Sequence, residues 1–366
     1  MNIVIEKNKF VEAVHTAARF AERGSASLPV LSSVLILVGD DGIKFRATNL
    51  ETGVDLKVKG KSTGDGVVAV PARILEQIAG SLVGEGEVVL EKSGDTVLFK
   101  SGTARSIIKT SPYEDFPIIP LPESPKGRIV LAGTVIKNLL SSIASCASTS
   151  TVRPELASIH LAIEGGMCTA TATDSFRLAE KKVSLGNKGM QSKILIPAKN
   201  ALDIAQALPD EEVIVSFDDH QCAFICEQGM FTTRLTSAVY PDYRQIIPKD
   251  SVAEAVLLRR DLELALKRAT IFSDTFQKVR LAFDPSKKTL SLYSRNADIG
   301  ESTEPIAGQV SGSAIELSFN HRYLSAFFAL VTSESVSLLA SGVGRPLIMR
   351  GTGDPSLLYL VMPMNQ

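Results

Sequence analysis

The residues whose types could do chemistry are few: four histidines, four cysteines and some acidic pairs. His220, Cys222 and Cys226 stand close in sequence, and imidazole with thiolate is an ordinary zinc ligand set. The segment from Val213 to Met230 alternates like strands around a turn and holds no C-x-x-C pair, so buried thiols on a strand are expected there. Asp174 beside Ser175 could belong to a hydrolase, but no nucleophile-and-base pattern accompanies it. Asp218-Asp219 sits among turn residues and is expected to be solvated rather than metal-binding. His15, His160, His220 and His321 are scattered. The chain has no phosphate loop, dinucleotide fingerprint, nucleophile elbow or H-E-x-x-H motif. The expectation is no catalytic residue, no metal and no cofactor.

The 366 residues allow two or three domains, and 45% hydrophobic with 22% charged residues is an ordinary globular composition. No run approaches the ~18 apolar residues of a membrane helix. The start, Met1-Asn2-Ile3-Val4-Ile5, alternates like a strand and lacks a leader's basic-then-apolar layout, so a cytoplasmic location with reduced cysteines is expected. Lys and Arg number 39 against 40 Asp and Glu, a net charge of −1. Proteins that grip DNA by neutralising phosphates are usually more basic. Either DNA is not a ligand, or something other than tight contact holds it.

The sequence repeats itself three times. Ile3-Val4-Ile5, Ile129-Val130-Leu131 and Ala255-Val256-Leu257 each enter an amphipathic segment, predicted as helices over 7–21, 134–147 and 261–272. A second landmark follows: Leu28-Pro29-Val30-Leu31, then Arg153-Pro154-Glu155-Leu156, then Phe276-Gln277-Lys278-Val279. A third is a strand ending in a polar turn: Ala47-Thr48-Asn49-Leu50-Glu51, Ala172-Thr173-Asp174-Ser175-Phe176 and Tyr293-Ser294-Arg295-Asn296. A fourth is a strand entering a helix at Val70-Pro71-Ala72-Arg73, Ile196-Pro197-Ala198-Lys199 and Phe319-Asn320-His321-Arg322, with Asn320 as a good N-cap. Proline-bearing stretches at 118–127 and 244–253 read as linkers. These patterns predict α+β domains of one type over 1–122, 127–248 and 253–366, each with two helices and antiparallel strands.

The helix faces follow from the 3.6-residue period. The first buries Phe10, Val11, Val14, Ala17, Ala18 and Ala21 and shows Arg19 and Arg23. The second buries Val135, Leu139, Leu140, Ile143 and Ala147 and shows Lys137, Ser141, Ser145 and Ser148. The Pro197 helix buries Ala201, Leu202, Ala205 and Leu208 and shows Lys199, Asn200 and Gln206. The third-repeat helix buries Leu262, Ala265, Leu266 and Ala269 and shows Arg260 and Lys267. Each outer face read singly is an ordinary solvated one. Read together, polar and mildly basic faces could touch phosphates without reading bases.

These landmarks resemble the bacterial DNA polymerase III β subunit family, the β sliding clamps. The resemblance runs through Leu28-Pro29-Val30-Leu31, Ala172-Thr173-Asp174-Ser175-Phe176-Arg177-Leu178-Ala179, Tyr240-Pro241-Asp242-Tyr243, Phe319-Asn320-His321-Arg322-Tyr323-Leu324 and Tyr359-Leu360-Val361-Met362-Pro363-Met364. It implies a non-catalytic processivity factor: three clamp domains per chain, closed head-to-tail as a homodimeric ring with helices lining a pore and antiparallel sheets outside. Topology would then hold duplex DNA, which accounts for the near-neutral charge. It implies partners: the polymerase III α subunit, the clamp loader and other proteins with a clamp-binding motif, and no membrane. They would meet a pocket at Leu156, Thr173, Ser175, Phe176, Arg177, Leu178, Pro241, Ile246, Asn320, Tyr323, Leu360, Val361, Met362, Pro363 and Met364, with Arg177 and Asn320 serving the peptide's polar groups. Methionines make such a wall adaptable. This chain has Ser175-Phe176 where the family often has Gly-His, Gln245 where it often has a basic residue, and Asn365-Gln366 without a terminal basic residue.

The resemblance also implies a dimer contact between an edge strand at Arg105–Lys109 and one at Asp298–Glu304. Arg105, Ile108, Ile271, Phe272, Asp298, Glu301 and Glu304 are the interface candidates, and Ser106 replaces a large apolar residue. Replacing Ile108 and Phe272 with Asp is expected to give monomers. Opposite charges favour head-to-tail pairing. Arg23, Arg73, Lys137, Lys199 and Lys267 are the DNA-facing candidates. Two other classes stand beside this one. A scaffold binding only proteins would not need basic inner faces, and an enzyme with a cleft site would need motifs the chain lacks.

Overall fold

A computed structural model describes residues 1–24, 28–186 and 189–364. Among these, six α-helices are present: α1 (Lys7–Arg19), α2 (Ala72–Ser81), α3 (Gly133–Ala144), α4 (Ala198–Ala207), α5 (Arg259–Ile271) and α6 (His321–Ala326). Each begins directly at the end of a strand, so one strand-into-helix step occurs six times, twice per repeat. Glu6, Pro71 and Leu258 precede their helices without a side-chain cap. The leading amides find carbonyls elsewhere instead. Lys7 N donates to Gly86 O at 2.8 Å, Gly133 N to Glu211 O at 2.7 Å, Ala198 N to Ala157 O at 2.9 Å and Arg259 N to Glu334 O at 2.8 Å. These helix starts are therefore secured by the surrounding fold rather than by local capping. At Gly133 the approach is so close that a Cβ would lie 1.9 Å from Pro209 O. Only α6 has the predicted cap, with Asn320 Oδ1 accepting from Arg322 N at 2.9 Å.

Three helix faces differ from expectation. In α1, Ala13 is buried and Val11 only half-buried. In α3, Ile136 is buried and Val135 only half-buried. In α4, Ile204 joins the core, Leu202 is half-buried, and Asn200, expected outside, is buried with its amide donating to Thr233 Oγ1 at 3.1 Å. A partnered amide can be buried at little cost, which hydrophobic periodicity does not detect.

The chain forms two compact units, residues 1–137 with 199–237, and 138–198 with 238–366. The first holds a five-stranded and an eight-stranded antiparallel sheet, the second a nine-stranded and a four-stranded one. The division runs through the middle repeat because its halves complete different neighbours' sheets. Strand Gly229–Arg234 pairs with Thr52–Val58, placing Gly229 opposite Leu56. Strand Arg177–Ser184 pairs with Leu357–Val361, placing Leu178 opposite Leu360. At the first junction Gly229 has φ +142°, and a Cβ would sit 2.1 Å from Asp55 O. Aromatic contacts fill the interiors: Phe10 against Phe45 and Phe99, and Phe20 against Phe231, in the first unit; Phe327 against Tyr359 in the second.

Candidate functional site

The second unit carries a cleft around the turn that joins strands Met167–Thr173 and Arg177–Ser184. Thr173 Oγ1 donates to Arg177 O at 2.6 Å and accepts from Ser175 N at 3.1 Å. Asp174 Oδ1 accepts from Phe176 N and Arg177 N, both at 3.0 Å. Side chains that bond their own backbone in this way favour turns over strand continuation. They hold Ser175 at φ 78° and turn Phe176 outward, 58% exposed. Asp174 is thus a turn-former, not a hydrolytic carboxylate.

Arg177 donates through Nε to Asp174 Oδ2 at 2.9 Å and through Nη2 to Ser145 O at 2.6 Å. Its guanidinium lies 5.2 Å from the Tyr323 ring centre, and Phe176 stacks on the same ring at 5.9 Å with planes 11° apart. Such cation–aromatic stacking fixes the planar group's direction. Arg177 therefore holds the wall in place, and much of its donor capacity is already used. Asn320 is likewise half committed, its carbonyl capping α6.

The floor is a buried cluster of Leu178, Tyr243, Ile348, Leu358 and Leu360, with Tyr240, Ile247, Leu339 and Met362 packed on it. Tyr243 crosses the floor and donates to Glu180 Oε2 at 2.6 Å, and burial pushes its hydroxyl up to about 12. Met362 N donates to Phe176 O and Met364 N to Ser318 O, both at 2.8 Å, tying down the chain end. Leu156, Thr173, Leu178, Leu360 and Val361 are buried and support the cleft from beneath. Ser175, Phe176, Pro241 and Ile246 are exposed, and Arg177, Asn320, Tyr323, Met362, Pro363 and Met364 are half-buried around it. Asn365 and Gln366 lie outside the described residues. Tyr240, Tyr243 and Ser145 were not predicted as parts of this site. The Tyr-Pro-Asp-Tyr segment was the available signal for the two tyrosines, and nothing local marks a carbonyl such as Ser145's.

Of the basic candidates, Lys137 pairs with Asp210 at 2.5 Å, Lys267 with Glu263 at 2.9 Å and Arg23 with Glu76 at 3.9 Å. Arg73 and Lys199 are exposed and have no ion-pair partner among the described residues. Arg19 donates to Gln206 of α4.

The strands Ala104–Lys109 and Gly300–Ala307 each end a sheet, leaving one edge unpaired within the chain. Arg105, Ile271, Asp298 and Glu301 are exposed, and Phe272 packs against Gly300. Glu304 is bound to Arg268 at 2.7 Å. Ile108 needs correction as a contact residue. It is 7% exposed and faces its own domain's core, whereas Ile107 is 74% exposed. Two adjacent isoleucines point to opposite faces of a strand, and their spacing alone does not reveal which faces outward.

Among the described residues no three metal-ligating side chains cluster. Cys222 is buried and burial raises its thiol pKa; the backbone amide of His220 bonds Asp218 in a turn. No helix among the described residues is long and apolar enough to cross a membrane.

The threefold strand-and-helix pattern, with sheets shared between successive repeats, defines the DNA clamp class. Sequence models of the DNA polymerase III beta subunit match end to end: the N-terminal domain over 1–120, the central domain over 130–242 and the C-terminal domain over 244–365. The chain belongs to this family, whose function is that of a non-catalytic sliding clamp. It is 27% identical to the beta sliding clamp of Pseudomonas putida and 25% to that of Bacillus subtilis, with full coverage of both chains in each case. A crystal structure of a Pseudomonas aeruginosa sliding clamp bound to griselimycin superposes with a TM-score of 0.94 at 24% identity, again over full length.

Proposed function

We propose that this chain closes head-to-tail with a second copy into a ring around duplex DNA in the cytoplasm, and that the Phe176–Tyr323 cleft tethers the polymerase III α subunit, the clamp loader and other motif-bearing proteins. Each chain supplies clamp domains over 1–122, 127–248 and 253–366. The observation that carries the tethering is a stacked aromatic pair, Phe176 exposed and Tyr323 half-buried, beside a preformed apolar floor. A short extended peptide could lay alternate side chains into such a cleft, at small cost in protein rearrangement. Ring closure is supported by two unpaired edges of opposite character: Arg105, Ile107 and Lys109 outward on one, Glu301 outward on the other with Asp298 beside it. Pairing them would satisfy backbone groups that otherwise face solvent. Arg73 and Lys199, the two of the five candidates without an ion-pair partner among the described residues, are the best DNA contacts, weak enough to permit sliding.

A fluorescent Gln-Leu-Ser-Leu-Phe peptide tests the cleft, and sedimentation tests the ring. We expect saturable binding and a dimer. Ile107→Asp should yield a folded monomer that still binds peptide. A peptide that does not bind overturns the cleft, and an unchanged dimer overturns the edge assignment.

A further inference from the structure

Adjoining the aromatic cleft, and sharing Tyr240, Pro241 and Tyr243 with it, the second unit holds a cavity of about 340 Å³ along the Tyr240–Arg244 segment. Its lining includes His160, Ala162, Lys193, Tyr240, Asp242 and Arg244. The first repeat has an opening of about 310 Å³ beside Val67 and Tyr113, and the repeats differ in what lines it. In the first repeat Ser33 pairs with Pro71, Leu35 with Ala69 and Leu37 with Val67; in the second, Ser158 pairs with Pro197, His160 with Leu195 and Ala162 with Lys193. Position for position, Leu35, Leu37 and Val67 have become His160, Ala162 and Lys193. In the first repeat Tyr113 and Phe116 pack over that apolar face. In the second, side-chain volume has been removed at Ala162 while polar groups have been added around it.

Among the polar groups, cations outnumber carboxylates. Lys193 and Arg244 are exposed at the rim, and neither has an ion-pair partner among the described residues. The one carboxylate in the lining, Asp242, already accepts from Gln245 Nε2 at 2.8 Å. His160 stacks on Tyr240 at 4.8 Å with planes 7° apart, and its Nδ1 is buried without a partner. Burial, with Lys193 and Arg244 nearby, pushes this imidazole down to about 4, so the ring is neutral at pH 7. Two cations outside any ion pair, set above an aromatic floor, suit a carboxylate carried on a short aliphatic stem.

The position ties the cavity to the cleft. His160 and Leu178 lie two strands apart on one sheet face, and the pairings His160–Thr171 and Thr173–Leu178 put Leu178 one side-chain step further along. That separation is roughly 12 Å, which about four residues of extended peptide would span. Building on the cleft as a peptide site, we propose that the cavity takes an acidic residue of the same partner peptide, about four residues from the apolar anchor.

The test measures binding of the full chain to five labelled peptides: Gln-Leu-Ser-Leu-Phe, the same peptide with an Asp-Glu arm on its N-terminal or on its C-terminal end through a Gly-Ser spacer, and the two matching peptides with Asn-Gln arms as neutral controls. One acidic arm should tighten binding about fivefold at low salt, the yield of two modest ion pairs. Lys193→Ala with Arg244→Ala should abolish that gain and leave the core peptide's affinity unchanged. Ala162→Leu with Lys193→Val, which restores the first repeat's residues, should do the same. No gain from either acidic arm, or a gain that survives both variants, overturns the acidic subsite alone. Failure of the core peptide to bind overturns the cleft and the subsite together.

Discussion

In the turn at 48–52, Thr48 Oγ1 donates to Thr52 O at 2.7 Å and accepts from Leu50 N, while Asn49 Oδ1 accepts from Glu51 N and Thr52 N. In the turn at 173–177, Thr173 and Asp174 make the same four bonds. Leu50 and Ser175 both sit at positive φ, 72° and 78°. The side chains carried by this common frame differ. Glu51 becomes Phe176, Thr52 becomes Arg177, and Gly53 becomes Leu178. Over Gly53 lies Ile119, so close that a Cβ would meet it at 2.8 Å. In the first repeat a linker side chain settles directly on the strand. In the second, Leu178 builds an apolar floor, and an arginine and a phenylalanine stand beside it. Duplication supplied the geometry, and a handful of substitutions supplied the binding chemistry.

Exchanging residues between the copies tests that comparison. The largest effect should come from Leu178→Gly, which installs the first repeat's residue. Emptying a fully buried leucine site and adding backbone freedom should cost about 4 kcal/mol or more, read by denaturant unfolding. A loss near 1 kcal/mol would mean that the linker collapses onto the strand as Ile119 does. His160→Leu comes next and depends on pH. The folded state holds the imidazole near 4 against an ordinary value of 6.5, so between these values the unfolded chain binds a proton that the folded chain refuses. Stability from this group is complete above about pH 6.5 and falls as pH drops towards 4, by up to roughly 3 kcal/mol. The leucine variant should lose that slope, and a wild-type unfolding free energy flat over this window would contradict it.

Asp174→Ala should cost about 1–2 kcal/mol, the value of a capping carboxylate, and Asn49→Ala about the same. Only the Asp174 change should also weaken peptide binding, because only there does the carboxylate orient an arginine. Equal peptide affinity in the two variants would sever the turn from the site. Phe176→Glu, the first repeat's residue, should change stability by no more than about 0.5 kcal/mol because the side chain is exposed. Peptide affinity should nonetheless fall about tenfold, a cost of about 1.4 kcal/mol.

The repeats and the six strand-into-helix steps were legible, to within a residue or two, because strand-to-helix transitions and proline positions are local signals. Side-chain facing was less so. Ile136 displaced Val135 because one residue turns a helix by about 100°, and both are apolar. Ile107 and Ile108 were indistinguishable without knowing which face of the strand the core covers. The cavity was invisible for another reason. The second landmark sets His160 against Leu35, but that Lys193 stands opposite Ala162, one side-chain step from that imidazole, appears only once the strand register is known.

The ladder that joins strand Thr52–Val58 to strand Gly229–Arg234 has a consequence in time. Leu56 and Gly229 are paired but lie about 170 residues apart in the chain. At a synthesis rate of about 5–20 residues per second, the earlier strand emerges roughly ten to thirty seconds before its partner exists. Throughout that interval Val54 and Leu56 sit on an open edge, the kind of surface on which nascent chains stick to one another. Lys57 is the one exposed charge on that strand, since Asp55 is drawn into an ion pair with Arg46 at 2.8 Å, so this thinly protected segment is where a chaperone or a slowed ribosome would most affect the yield of folded protein.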